Sequence, residues 1–453
     1  MRPVAPETRP SFLMQESFAI DFLYFGLPCI WNEAIDKYLI FSPYRLKIAT
    51  VNPDIIHSDD TRKKLAQLDF FGVPAKPSKS EKIVKIGLIL TTDCNLRCKY
   101  CFVVPQARIR YMTPEYAIRI IKEKITPEVE EIYLTFFGGE PTLNMETLKA
   151  SVEYVQNIGV KANFIINTNG TLSNHDLDYL IEENFTFVVS SDGVPKINDK
   201  QRPMLSGVKS SEEIEQTIRR LVETNALFKV RATVTGKSIL YLKESIGYWD
   251  SLGVKFAHFE PVASSNKEIK YPSQEIYVEQ VVGALDEAEK VEMWIISSPF
   301  MNLLTPSTYF CTTVAGEDEL YTPDGSISLC YRVQEYDHPF KDFIIGKYDV
   351  NMDSFNKYSD RINLLKKIDV STKSNCNNCA AKYICSGGCP LRNKVETGSY
   401  MGIDGWMCYI KKALVHDAII RIDRALDKGQ VPIIFGESIF ENLSRKRFIK
   451  KRR

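Results

Sequence analysis

Ten of the chain's eleven cysteines fall into two blocks, and any fold of this chain has to bring those sulfurs together. The first block, Cys94-x3-Cys98-x2-Cys101, follows an apolar run that reads as a strand. The second distributes Cys311, Cys330, Cys376, Cys379, Cys385, Cys389 and Cys408 over the last third of the sequence. Three thiolates at the first spacing, on a loop leaving a strand, can hold three irons of a cubane and leave the fourth iron free for a ligand. Structural zinc is the competing reading. It takes four ligands, and no histidine lies near the run to serve as the fourth.

Composition narrows the classes further. Lys plus Arg number 58 against 57 Asp plus Glu, so charge does not drive the chain toward nucleic acid or an acidic membrane face. The apolar patch Phe18 to Leu27 lacks a basic flank and a small-residue cleavage site, and the cysteines have metal-type spacings; a reducing cytoplasm is the expected compartment. No apolar run reaches the roughly 18 residues of a membrane span, and no membrane partner is expected. At 453 residues the chain exceeds one ordinary core and predicts two or three domains.

Residues 1–80 read as a small module. An apolar segment around Ile20 to Ile30, a strand at Tyr38 to Phe41, a Ser42-Pro43 turn and a second strand at Leu46 to Val51 predict a hairpin. A helix then starts at Ser58-Asp59-Asp60, stops near Gly72, and is followed by a linker over Pro74 to Lys82. From Ile83 to Pro299, within residues 81–299, short apolar runs alternate with helical patterns, the sign of strand–helix units on a parallel sheet. Six strands are expected: Ile83 to Leu90, Glu131 to Phe137, Ala162 to Asn167, Thr186 to Ser190, Lys229 to Thr235 and Lys255 to Glu260. Thr113-Pro114-Glu115 supplies an N-cap, a first-turn proline and an acid, and Ser173 and Ser210 offer two more caps.

The expected fold class is therefore α/β, a partial (β/α)6 TIM-type barrel with its site at the C-terminal ends of the strands. Over residues 300–453 Cys, Gly and aromatic residues replace the alternation and predict a metal-nucleated domain. A helix over roughly Met407 to Lys428 carries Ile410, Leu414, Ala418, Ile422 and Leu426 close to one face. The basic tail Ser444 to Arg453 reads as a solvated, frayed end.

Thr91 to Phe102, with Cys94, Cys98, Cys101 and the aromatic Tyr100 before the third cysteine, resembles the signature of radical S-adenosylmethionine (SAM) enzymes. Gly138-Gly139-Glu140-Pro141 is similar to that family's GGEP element, which implies that backbone and the Glu140 carboxylate receive the SAM ammonium; glycine suits close backbone approach. The resemblance further implies SAM contacts from Ser190, Asn169, Asp192 and Arg231, the last pairing with the SAM carboxylate through its fork. Simple turn-capping by Asn169 and Asp192, and a structural salt bridge for Arg231, are the alternatives. Glu260, at the sixth strand's end, is a candidate to face substrate.

The seven later cysteines, with Gly325 before Cys330, resemble the SPASM domain of radical SAM peptide maturases, with a zinc ribbon as the alternative. That likeness implies Cys376, Cys379, Cys385 and Cys408 on one auxiliary 4Fe-4S cluster. It implies Cys311, Cys330 and Cys389 on another, one ligand short. Three 4Fe-4S clusters and SAM are thus the expected cofactors. Cys29 is left over and reads as a buried apolar-like thiol.

These likenesses imply an enzyme that cleaves SAM to a 5'-deoxyadenosyl radical and oxidatively modifies, chiefly by crosslinking, a ribosomal precursor peptide. The module at residues 1–80 is similar to winged-helix-like peptide-recognition domains that take a leader segment onto a sheet edge, with a dimerisation or packing module as the alternative. A flavodoxin or ferredoxin is the expected reductant. Anaerobic sulfatase maturation to formylglycine is the second reading. The 93 residues ahead of Cys94, and Tyr331 where those enzymes place an aspartate, count against it. A non-catalytic iron–sulfur electron carrier would need neither Gly138 to Pro141 nor the polar strand ends.

Overall fold

The computed structural model describes residues 21–75, 80–103, 108–263, 271–316 and 318–446. Strands β1 (Phe22–Tyr24), β2 (Leu27–Asn32), β3 (Lys37–Ser42) and β4 (Lys47–Val51) form an antiparallel meander in that order, two strands more than the expected hairpin. The extra strands escape sequence reading because β1 has only three residues and β2 carries Pro28. Pleating sends Ile30 and Leu39 to one face and Cys29 and Ile40 to the other. The first face joins the main core. The second closes a small core with Val51, Leu65 and Phe70 beneath the helix Asp59–Gln67, and Cys29 is fully buried in it. Ser58 caps that helix by accepting from the Thr61 N–H.

Strands β5 (Ile83–Thr91), β6 (Glu131–Gly138), β7 (Lys161–Thr168), β8 (Thr186–Ser190), β9 (Leu227–Val234) and β10 (Phe256–Pro261) lie parallel in sequence order, close to the bounds expected. A seventh parallel strand, β11 (Trp294–Ile296), pairs with β10 and corrects the count of six; three residues are too few to stand out as an apolar run. At the opposite edge β12 (Asp318–Tyr321) pairs parallel with β5. Strands β13 (Ser326–Ser328), β14 (Ile344–Asp349) and β15 (Ser354–Lys357) continue antiparallel, so the sheet has eleven strands.

Alternation along the strands separates two faces. Ile86, Leu88, Ile132, Leu134, Phe136, Ile166, Val189, Val230 and Phe259 are buried beneath the crossover helices, each contributing about 1.5–3 kcal/mol by removal from water. The helices begin where sequence places them, with Thr113 accepting from the Tyr116 N–H and Ser173 from the Asp176 N–H. Ser210 departs from its expected capping role: its hydroxyl donates to the Arg202 carbonyl at 2.6 Å. The other face carries Ser190 opposite Arg231, and Arg231 opposite His258.

Beyond the sheet, the helix Gly405–Asp427 buries Ile410, Leu414, Ala418 and Ile422 as its periodicity predicts. Arg421 ties it to the helix Gln274–Lys290 through Asp286 and Glu289. The expectation of a frayed end from Ser444 is corrected. Ser444 is buried in the helix Gly436–Lys446, with its Oγ 3.2 Å from Thr186 Oγ1. Phe440 meets Phe256 edge-on at 5.1 Å, and Glu437 pairs with Lys229 at 3.4 Å. The basic charge of the segment hides its short apolar stripe. The rest of that tail, residues 447–453, lies outside the described residues. No described helix is long and apolar enough to cross a membrane.

Candidate functional site

The cysteine loop leaves the C-terminal end of β5 and is zipped to residues 201–205. Arg97 N donates to Pro203 O, Lys99 N to Gln201 O, and Leu205 N to Asn95 O, at 2.8, 2.9 and 2.8 Å. Cys94 is buried, and Cys98 and Cys101 are half-buried. Three donors are aimed at sulfur: Leu96 N–H and Asn169 Nδ2 at Cys94 Sγ (3.4 and 3.7 Å), and Arg202 Nη1 at Cys98 Sγ (3.8 Å).

Burial pushes the Cys94 thiol up to about 11 and the Cys98 thiol up to about 12. Thiols in such a setting stay protonated at neutral pH until a cationic group balances the thiolate. Neutral thiols gain little from a guanidinium and two N–H groups directed at sulfur, whereas metal-bound thiolates gain from each of them. The donor set therefore fits a three-cysteine iron–sulfur cluster.

Gly138 and Gly139 pack the end of β6 onto the same loop. Gly138 has φ +156°, and a Cβ there would lie 2.4 Å from Thr91 O; at Gly139 it would lie 2.0 Å from Asp93 O. Only glycine lets Gly139 N reach Thr91 O (2.7 Å) and Glu140 N reach Asp93 O (2.8 Å). Pro141 is buried and opens a single turn, Pro141–Asn144.

The Glu140 carboxylate is fully buried. It accepts from Thr142 Oγ1 (2.8 Å), Thr168 Oγ1 (2.9 Å) and the Asn169 N–H (2.7 Å), which binds the β6 and β7 ends together. Burial raises its pKa from the ordinary carboxylate value despite those donors. Asn169 also donates to Asn95 Oδ1 at 2.7 Å.

Asp192, past the end of β8, is a buried hub. Its carboxylate accepts from the Tyr100 hydroxyl (2.6 Å), Gln201 Nε2 (2.7 Å) and the Thr233 N–H (2.9 Å), and Arg202 Nε stands 3.2 Å away. Ser190 is half-buried beside an exposed Arg231. Glu260 faces His258 at 3.2 Å and accepts from the Ser298 N–H. Burial opposes ionisation of Glu260, but His258 and Ser298 hold its pKa below the ordinary value; burial likewise lowers that of His258.

Sequence reading missed Gln201, Arg202 and His258. The first two sit at the end of the polar run Lys196 to Arg202, which reads as a solvated helix face. The zipper to the cysteine loop, together with Asp192 and Thr235, buries Gln201 and Arg202.

A second set of thiols, Cys376, Cys379, Cys385 and Cys408, lines one small cavity together with Gly387 and Lys411. Burial first, with the neighbouring Cys385 and Cys408 acting in the same direction, raises the Cys379 thiol to about 12. Burial first, then Cys389 and Cys311, raises the Cys330 thiol to about 12. Lys373 is buried beside Cys376, Cys385 and Cys389 and donates to the carbonyls of Gly387 and Gly402 at 2.9 and 3.2 Å. Among the described residues no three Cys, His, Asp or Glu side chains stand at the spacing of one bound ion.

The Radical SAM superfamily model matches residues 88–239. The uncharacterized protein MJ0907 of Methanocaldococcus jannaschii is 30% identical over 186 residues, 40% of this chain, which spans 63% of that protein. The radical SAM cyclopropyl synthase TigE of Paramaledivibacter caminithermalis is 23% identical over 373 residues, 75% of each chain. The solved structure of native anSMEcpe with bound AdoMet and Kp18Cys peptide shares the fold at 18% identity and a TM-score of 0.63, covering 76% of this chain and 99% of that one. The matched residues run from within β5 to beyond β9 and include the cysteine loop, Gly138 to Pro141, Ser190 and Arg231. Residues 88–239 of this chain are thus a Radical SAM superfamily domain.

Proposed function

We propose that this chain is a radical SAM enzyme with a SPASM extension that oxidatively modifies a ribosomal precursor peptide, forming a crosslink. One observation carries the reading: the three-thiol loop and the Gly138-Gly139 strand end are locked together by backbone hydrogen bonds at a single site. When bound, a 4Fe-4S cluster with SAM supplies one-electron cleavage of the sulfonium and abstraction of a substrate hydrogen. Cys94, Cys98 and Cys101 hold that cluster in this reading. Gly138 and Gly139 bring backbone close to SAM, Ser190 contacts it, and Arg231 takes its carboxylate with a planar fork; among the described residues Arg231 makes no ion pair.

The partial barrel built on the parallel strands β5 to β11, the leader-binding module at residues 1–80 and the auxiliary clusters belong to the same proposal. Cys376, Cys379, Cys385 and Cys408 take one cluster and Cys311, Cys330 and Cys389 the other, with Lys373 between them. Two relatives lend support: TigE is named a cyclopropyl synthase, and anSMEcpe is seen with AdoMet and a peptide bound. A flavodoxin or ferredoxin of the cytoplasm supplies the electron.

Reconstituted protein, reduced anaerobically and given SAM, is expected to release 5'-deoxyadenosine. Absence of that product would leave the electron-carrier reading standing. Co-expression with a candidate precursor peptide, followed by tandem mass spectrometry, separates the peptide chemistries: loss of two hydrogens with two residues joined in the fragments marks a crosslink, and an aldehyde confined to one Cys or Ser marks formylglycine.

A further inference from the structure

Among the described residues Arg202 is a buried cation in direct contact with the three-thiol loop, and the proposed reaction gives it no role. Hydrogen bonds bracket it: Arg97 N to Pro203 O and Lys99 N to Gln201 O join the residues on either side of Cys98 to those on either side of Arg202. Its own backbone is held by Arg202 N to Asn198 O (2.7 Å) and by the Ser210 hydroxyl on Arg202 O (2.6 Å). The side chain is 92% buried, and its guanidinium lies over the Tyr100 ring at 5.4 Å and places Nη1 3.8 Å from Cys98 Sγ.

A salt bridge to Asp192 accounts for only part of this arrangement. Asp192 already accepts from Tyr100, Gln201 and Thr233. The guanidinium presents Nε to that carboxylate and turns Nη1 to sulfur, so the positive end of the pair faces Cys98. A protonated thiol is a weak acceptor and does not repay such an arrangement; a cluster-bound thiolate does.

We infer that Arg202 sets the reduction potential of the cluster held by Cys94, Cys98 and Cys101, by placing a fixed positive charge and an N–H···S hydrogen bond on the Cys98 sulfur. This inference rests on the proposed cluster assignment. Reduction adds one electron and one negative charge to the cluster, and a cation about 4 Å from a ligand sulfur stabilises the reduced form more than the oxidised one. The potential rises accordingly, and a given reductant loads more of the cluster.

The test is a redox titration of the anaerobically reconstituted full chain. The EPR signal that responds to SAM is followed, and iron per chain is measured in parallel. Arg202→Gln is expected to shift the one-electron reduction equilibrium at least tenfold toward the oxidised form, about 59 mV more negative, with iron content unchanged. Arg202→Lys retains the charge and is expected to recover half or more of that shift. The single Gln variant leaves Asp192 buried without its cation. The Arg202→Gln/Asp192→Asn pair removes that hazard, and its potential is expected to fall in the same direction because the guanidinium is the member touching sulfur. An unchanged potential in the Gln variants overturns the inference, and so does loss of iron, which would make Arg202 a structural clamp. Wild-type protein with no SAM-responsive cluster would instead overturn the cluster assignment, and this inference with it.

Discussion

Replacing Cys94, Cys98 and Cys101 together by alanine is expected to abolish SAM cleavage while leaving about eight of about twelve irons per chain, the content of two remaining four-iron clusters. The expectation follows from how separately the sulfurs are housed. The first three sit on one loop zipped to residues 201–205, whereas Cys376, Cys379, Cys385 and Cys408 line a cavity built by the helix Gly405–Asp427 and the loops before it. Removing the first set takes no packing from the second. Iron analysis and chromatographic detection of 5'-deoxyadenosine check the two halves independently. Retained cleavage would contradict the assignment of the site. Iron falling to near zero would show that the sulfur sets are not independent.

Gly139→Ala is expected to lower SAM cleavage at least about 100-fold, the scale of loss from misplacing reacting groups by about 1 Å. A Cβ at this position would sit 2.0 Å from Asp93 O and 2.6 Å from Asp93 C. Both are backbone atoms one residue before Cys94, so no side chain can swing away to make room. The strand end and the cysteine loop must separate, and the hydrogen bonds Gly139 N to Thr91 O and Glu140 N to Asp93 O go with them. Gly247→Ala serves as the control: nothing lies within 4 Å of its Cβ position, it stands inside the helix Leu242–Ser251, and alanine is the better helix former by about 1 kcal/mol. Cleavage unaffected in the Gly139 variant would contradict the close packing.

Much of this architecture is legible in the sequence because it rests on local patterns. The six long parallel strands alternate with amphipathic helices, and the caps at Ser58, Thr113 and Ser173 are in place. What escapes depends on tertiary contact. β11 is three residues long and exists by pairing with β10, and β1 by pairing with β2. Ser444 looks like the start of a basic tail until Thr186 receives it, next to the apolar cluster of Phe440 with Leu227, Phe256 and Ile296. Arg202 follows a charged stretch and is buried only because Cys98 and Asp192 come to it from other loops. Asp192 and Glu140 show the reverse: their places at the strand ends are legible, but the protein donors that occupy their carboxylates are not.

The central claim is that the thiols of Cys94, Cys98 and Cys101 hold an iron–sulfur cluster with one iron open to SAM. EPR spectroscopy of the anaerobically reconstituted, dithionite-reduced chain, recorded before and after SAM is added, tests it most directly. The spectrum is expected to change on addition, and the change is expected to be absent from the variant lacking those three cysteines. Superimposable spectra from wild-type protein that demonstrably contains the cluster would contradict it.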